Sequence, residues 1–265
     1  MISAKVIADS VWDGNRITTL QLKMPRFILS QFNKHRMFSS NAASSRAIPT
    51  AKLLEQVRND PVIPVQWGKN QAGMVADGVL GIEASDECEA AWLAARDEAV
   101  LYAETLLDSG LHKQIANRLL EPFMWAEVVV TATEWENFFK LRLAHDSQPE
   151  MQALAQVMKT AIDSSTPEKS PYHLPYIDKE LLTGVDDASE LYEQYKMISA
   201  ARCARVSYLN HDQSQPNLER DLALAHKLKE AAHLTPFEHQ ARAVSRGAWL
   251  ANFKGWASQR YDMEF

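Results

Sequence analysis

Between Asn33 and Arg46 the chain reads NKHRMFSSNAASSR, with three cations, a histidine and four serines in fourteen residues and no acid. These are the groups that hold an anion. An arginine fork donates two parallel bonds to a phosphate, and serine hydroxyls and backbone N–H groups complete the shell. Ser44, Ser45 and Arg46 offer that chemistry in consecutive positions. The glycine-rich phosphate cradles are missing, since neither a Walker loop nor G-x-G-x-x-G occurs. The run belongs to a longer acid-free stretch between Asp13 and Glu55, which holds Arg16, Lys23, Arg26, Lys34, Arg36, Arg46 and Lys52. Subtracting those seven from the net charge of −6 leaves −13 on the rest of the chain. Charge segregated in this way fits an anionic ligand in one pocket of an acidic protein, and it also fits a solvated basic face.

The elements that must position these residues follow from the pattern. Residues 2–24 alternate as a β-hairpin around the turn DGN, with Ile7 blurring the period. Pro25 is placed as the first residue of a helix through PRFILSQFNKHR, on which Gln31, Lys34 and His35 would share a face. The serine-rich piece beyond Phe38 reads as an ordered loop. Ser85 is a candidate cap for a long helix that stops at Gly110. Shorter helices are expected at about 111–120, 133–144, 148–163, 187–204 and 216–232, and STPEKSPYHLPY as an ordered crossover loop. From TPFEHQARAV the tail opens with a strand-like alternation. The expectation is one α+β domain over 1–265, a small antiparallel sheet with a mainly helical remainder.

Composition excludes several classes. The net charge of −6 argues against a binder of polymeric nucleic acid. No apolar run approaches the ~18 residues of a membrane helix, and the N-terminus does not read as a signal peptide. Two cysteines, Cys88 and Cys203, build no disulfide framework and suggest a cytoplasmic location. No Cys/His spacing suggests a metal site.

Taken whole, the run Lys34-His35-Arg36, Ser39, Asn41, Ser44, Arg46 resembles the signature of the flavin-dependent thymidylate synthases, R-H-R-x-x-S-x-N-E-x-S-x-R-Y, at six of nine fixed positions. Lys34 replaces an arginine, Ala42 stands where the glutamate should be and Ala47 where the tyrosine should be. Three further segments resemble the same family: ARVSY at 204–208, HLTPFEH at 233–239 and TEWENFFKLR at 133–142. Their order is unusual. Segments that lie near the N-terminus in the usual member fall at about 197–245 here, so the chain looks circularly permuted, as in divergent bacteriophage members.

The resemblance implies methylation of dUMP to dTMP, with methylenetetrahydrofolate giving the carbon and FAD, recharged by NADPH, giving hydride. It places His35, Arg36, Met37, Asn41, Asn137, Leu141, Ser207, Thr235 and Glu238 on FAD, Lys34 near the flavin ring and His233 towards folate. Gln31, Ser44, Ser45, Arg46, Arg118 and Arg142 fall on the nucleotide, with Arg142 polarising the uracil carbonyls. A homotetramer is implied as well. The alanine at 42 leaves open hydroxymethylation of dUMP, (hydroxy)methylation of dCMP, or a flavin and nucleotide binder without turnover.

Overall fold

The computed structural model describes residues 1–182, 184–186, 189–206 and 215–265. The expected hairpin forms: β1 (Ser3–Trp12) and β2 (Asn15–Pro25) pair antiparallel. Its two-residue turn needs left-handed backbone at both positions, which Asp13 (φ 45°) and Gly14 (φ 78°) adopt. The register shifts between Val6 and Ala8. That bulge at Ile7 is why the alternation blurs there.

Pro25 ends β2 instead of opening a helix. A 3-10 turn (Arg26–Ile28) and α1 (Leu29–Phe32) follow, and the helix stops at Phe32. Lys34 and His35 sit in turns, with His35 N–H donating to the Phe32 carbonyl, so Gln31, Lys34 and His35 do not share a helical face. Aromatic packing explains the break. Phe38 folds back onto Phe32 (5.6 Å between ring centroids) and Trp135 (4.7 Å), which a continued helix would not allow. Beyond it the expected loop is a strand, β3 (Ser39–Ala42), paired antiparallel with β4 (Trp125–Ala132). No element is expected from the sequence at 125–132; the β-branched run Val128–Thr131 builds β4 there, an interior strand of the sheet.

Helices follow in the order α2 (Thr50–Asn59), α3 (Ile82–Asp108) and α4 (Lys113–Ala116), then a 3-10 segment (Asn117–Phe123). Gly81 caps α3, so Ser85 lies one turn inside it. After β4 come α5 (Glu136–Arg142) and α6 (Pro149–Asp163). The Pro-bearing crossover contains two short strands, β5 (Glu168–Lys169) and β6 (Tyr172–His173). Next are α7 (Lys179–Leu182), α8 (Glu190–Arg205) and α9 (Leu218–Glu230). The TPFE stretch expected to start a strand is a 3-10 turn (Thr235–Glu238), ahead of β7 (Ala241–Ala243), β8 (Trp249–Leu250), β9 (Phe253–Lys254), β10 (Trp256–Ser258) and α10 (Gln259–Glu264). Pro236 cannot donate to a strand ladder but suits the first turn of a helix.

The main sheet runs β3-β4-β2-β1-β5, antiparallel except for β1 with β5. One face carries Leu20, Leu22, Met24, Val128 and Val130 against Met151, Leu154 and Met158 of α6. Each such side chain contributes about 1.5–3 kcal/mol by leaving water. The opposite face bears Thr19, Val129 and Thr131, covered by the tail strands and the end of α8. A second core joins Leu53, Leu54 and Val57 of α2 to Val100 and Ala103 of α3 and to Leu120 and Phe123. The architecture is α+β, as expected.

Candidate functional site

β3 carries the middle of the basic motif and places it at the edge of the sheet. The Asn41 amide donates to the Cys203 carbonyl (3.0 Å) across 162 residues of chain, tying the motif to the last turn of α8. Val206 closes that helix with left-handed backbone (φ 55°), and Ser207 lies outside the described residues. The 3-10 turn Thr235–Glu238 packs against β3 as well. Asn252, in the loop between β8 and β9, donates to Ser39 Oγ (3.0 Å) and to the Met37 carbonyl (3.4 Å). Three of the four segments singled out in the sequence thus converge on β3.

The fourth meets the motif at His35 and Phe38. Arg142, at the end of α5, donates from Nε to His35 Nε2 (3.0 Å). That ring also stacks edge-on against Phe138 (4.8 Å). Burial and the Arg142 charge push the His35 pKa down to about 4, so the ring is neutral near pH 7, with Nε2 as acceptor and Nδ1 carrying the proton. Asn137 and Leu141 lie on the exposed face of α5.

The nucleotide set divides. Ser44 and Arg46 line a small cavity of about 230 Å³ with His112 and Gln114. Ser45 is buried; its carbonyl accepts from Asn117 (2.8 Å) and its hydroxyl donates to Glu121 Oε1 (3.4 Å). Arg118 ion-pairs with the same Glu121 oxygen (2.6 Å) and lines a larger cleft of about 820 Å³ with Arg26, Ser30 and Trp92. Gln31 Oε1 is buried with no hydrogen-bond partner among the described residues. The structure does not gather Gln31, Arg46, Arg118 and Arg142 into one cavity of this chain.

His233 and Thr235 are exposed, and Glu238 pairs with Arg260 (2.5 Å). Sequence reasoning counted Arg26 among the cations of the acid-free stretch but gave it no role, and it did not single out His112, Glu121 or Asn252. Only Glu121, three residues after Arg118 on the same segment, carried a local signal.

The charges sort sharply. Arg16, Lys23 and Arg26 are paired with Asp9, Asp60 and Glu121. Lys34, Arg36 and Arg46 are exposed and make no ion pair among the described residues. Three cations without an ion pair among the described residues fit an anionic ligand or a solvated basic face. Among the described residues no cluster of His, Cys, Asp and Glu could hold a metal ion, and no helix is long and apolar enough to cross a membrane.

Residues 10–168 match the family model described as "Thymidylate synthase complementing protein". The chain belongs to that family. At the family level this makes it a flavin-dependent thymidylate synthase-like methyltransferase acting on a pyrimidine nucleotide. No curated protein sequence matches the chain. Among solved structures, the chain resembles the UMP/dUMP methylase PolB from Streptomyces cacaoi bound with 5-Br UMP (17% identity, 61% of this chain and 88% of that one, TM-score 0.48). It also resembles the flavin-dependent thymidylate synthase ThyX from Helicobacter pylori complexed with FAD and dUMP (18% identity, 55% and 67%, TM-score 0.40). Likenesses this loose carry no assignment of residues.

Proposed function

We propose that the chain methylates dUMP to dTMP, taking the carbon from methylenetetrahydrofolate and reducing equivalents from NADPH through FAD. The supporting observation is the convergence on β3 of segments more than 150 residues apart, through the bond from Asn41 to the Cys203 carbonyl. When bound, FAD supplies hydride chemistry that the side chains lack. Cys203 is no substitute nucleophile, because burial raises its thiol pKa far above the usual range.

In this reading His35, Arg36, Met37, Asn41, Asn137, Leu141, Ser207, Thr235 and Glu238 hold FAD, Lys34 lies by the flavin ring and His233 faces folate. Gln31, Ser44, Ser45, Arg46 and Arg118 take the nucleotide, and Arg142 donates to the uracil carbonyls. Arg142 is oriented by neutral His35, which accepts at Nε2 and leaves the other guanidinium nitrogens to donate. The dispersal of these residues over one chain supports sites completed in a homotetramer. The contact of the Thr235–Glu238 turn with β3 supports one permuted domain over 1–265.

One observation favours a second product. Ala42 packs against the apolar core at the end of β3, so the carboxylate of the family signature has no counterpart there. Hydroxymethylation of dUMP, or (hydroxy)methylation of dCMP, is the alternative reaction, and binding without turnover the alternative role.

The test incubates the purified protein with methylenetetrahydrofolate and dUMP or dCMP, with and without NADPH. Mass spectrometry that finds a methyl product only with NADPH supports the synthase. A hydroxymethyl product without NADPH supports the alternative reaction. A colourless protein without FAD affinity overturns the flavin reading.

A further inference from the structure

Glu121 brings an anion of the protein's own into the cleft lined by Arg118, a residue that the reading above places on the nucleotide. Its Oε1 meets Arg118 Nη1 at 2.6 Å, Arg26 Nη2 at 3.3 Å and the Ser45 hydroxyl at 3.4 Å. Two guanidinium groups and one hydroxyl on a single oxygen are the partners a phosphate oxygen would take. The backbone holds them together, because Asn117, four residues before Glu121, clamps the Ser45 carbonyl at 2.8 Å. All three charged groups line the cleft of about 820 Å³. Arg36 and Arg46, by contrast, have no carboxylate beside them among the described residues.

We propose that Glu121 is a specificity-determining residue, an internal carboxylate that competes with the ligand's phosphate for Arg26, Arg118 and Ser45. The inference rests on the nucleotide reading above. With Glu121 in place, the two arginines and the carboxylate present a net charge of +1 to an arriving phosphate monoester. The dianion must displace the carboxylate from Arg118 and then sit beside it, so the site gains less from the phosphate than its two arginines would otherwise give. The nucleoside part feels none of this. Glu121 therefore narrows the preference for a nucleotide over the uncharged nucleoside, and neutralising it widens that preference.

Titration calorimetry of dUMP, deoxyuridine and inorganic phosphate against the wild type and Glu121→Gln tests this, with Glu121→Ala as a second variant. Like-charge repulsion and the released ion pairs set the expected gain at about fivefold to tenfold for dUMP and for inorganic phosphate. Deoxyuridine affinity is expected to stay unchanged, and the gain to shrink at high salt. If deoxyuridine and dUMP bind but neither variant tightens dUMP, Glu121 is not a competitor and the nucleotide reading stands. If neither compound binds any form, the nucleotide reading falls. Inorganic phosphate that binds the variants no tighter than the wild type then overturns the role of Glu121 on its own.

Discussion

His173 and His239 are fully buried and joined through a chain of hydroxyls across the main sheet. Ser10 Oγ lies 2.9 Å from His173 Nδ1, and His173 Nε2 lies 2.7 Å from Thr19 Oγ1. Thr19 and Thr131 meet at 2.6 Å, and Thr131 Oγ1 lies 2.9 Å from His239 Nδ1. Each threonine hydroxyl donates once and accepts once if both rings are neutral. If both were protonated, one threonine would accept twice and its own proton would lose its place. Burial pushes both pKa values down to about 3, and His173 adds to the effect at His239. The unfolded chain takes up these protons as the pH falls through about 6.5, and the fold does not. Stability is therefore full above that pH and is lost towards pH 3. Between pH 7 and pH 5 each ring costs about 2 kcal/mol, so the pair costs roughly 4 kcal/mol. Asp9, held below the usual carboxylate range against its own burial by Arg16 and Ser165, changes charge below this window. His35, held down at about 4, adds about 2 kcal/mol over the same window. Urea unfolding followed by tryptophan fluorescence at the two pH values should measure a total loss of roughly 6 kcal/mol, and His239→Gln should remove about a third of it. A difference under about 1 kcal/mol, or ring titrations near 6.5 by NMR, would refute the reasoning.

Further expectations follow from named contacts. Asp221 is buried between Arg202 (3.0 Å) and Arg205 (2.6 Å); Asp221→Asn removes the carboxylate from both buried ion pairs, and denaturant unfolding should show a loss of about 3–5 kcal/mol. In Arg142→Ala the His35 pKa should rise from about 4, though burial keeps it below 6.5, and NMR titration of the ring reads this directly. Turnover of that variant should fall by at least tenfold if Arg142 polarises the base; normal turnover with normal nucleotide affinity would end that role. Asn41→Ala removes the strap to α8 and should cost about 1 kcal/mol in unfolding, with weaker FAD retention on gel filtration.

The sequence alone carried the hairpin, because alternation and DGN specify both strands and turn. It also carried the helices α3 and α6, the first through an unbroken run of helix-forming residues that stops at Gly110 and the second through the apolar face of Met151, Leu154, Ala155 and Met158. The identity of the motif residues was legible too, since residue type and spacing are properties of the chain. Tertiary structure decided the rest. The helix expected through Arg36 gives way at Phe32 because Phe38 gains more against Phe32 and Trp135 than a further turn would supply. The serine-rich loop becomes β3 because β4 offers it a ladder of hydrogen bonds that no local signal announces. Charge pairing is the clearest case. An acid-free stretch of seven cations looks uniform in sequence, yet Asp9, Asp60 and Glu121 neutralise three of them from outside it and leave Lys34, Arg36 and Arg46 without an ion pair among the described residues. Coulombic partners are chosen by distance in space, and only the fold sets that distance.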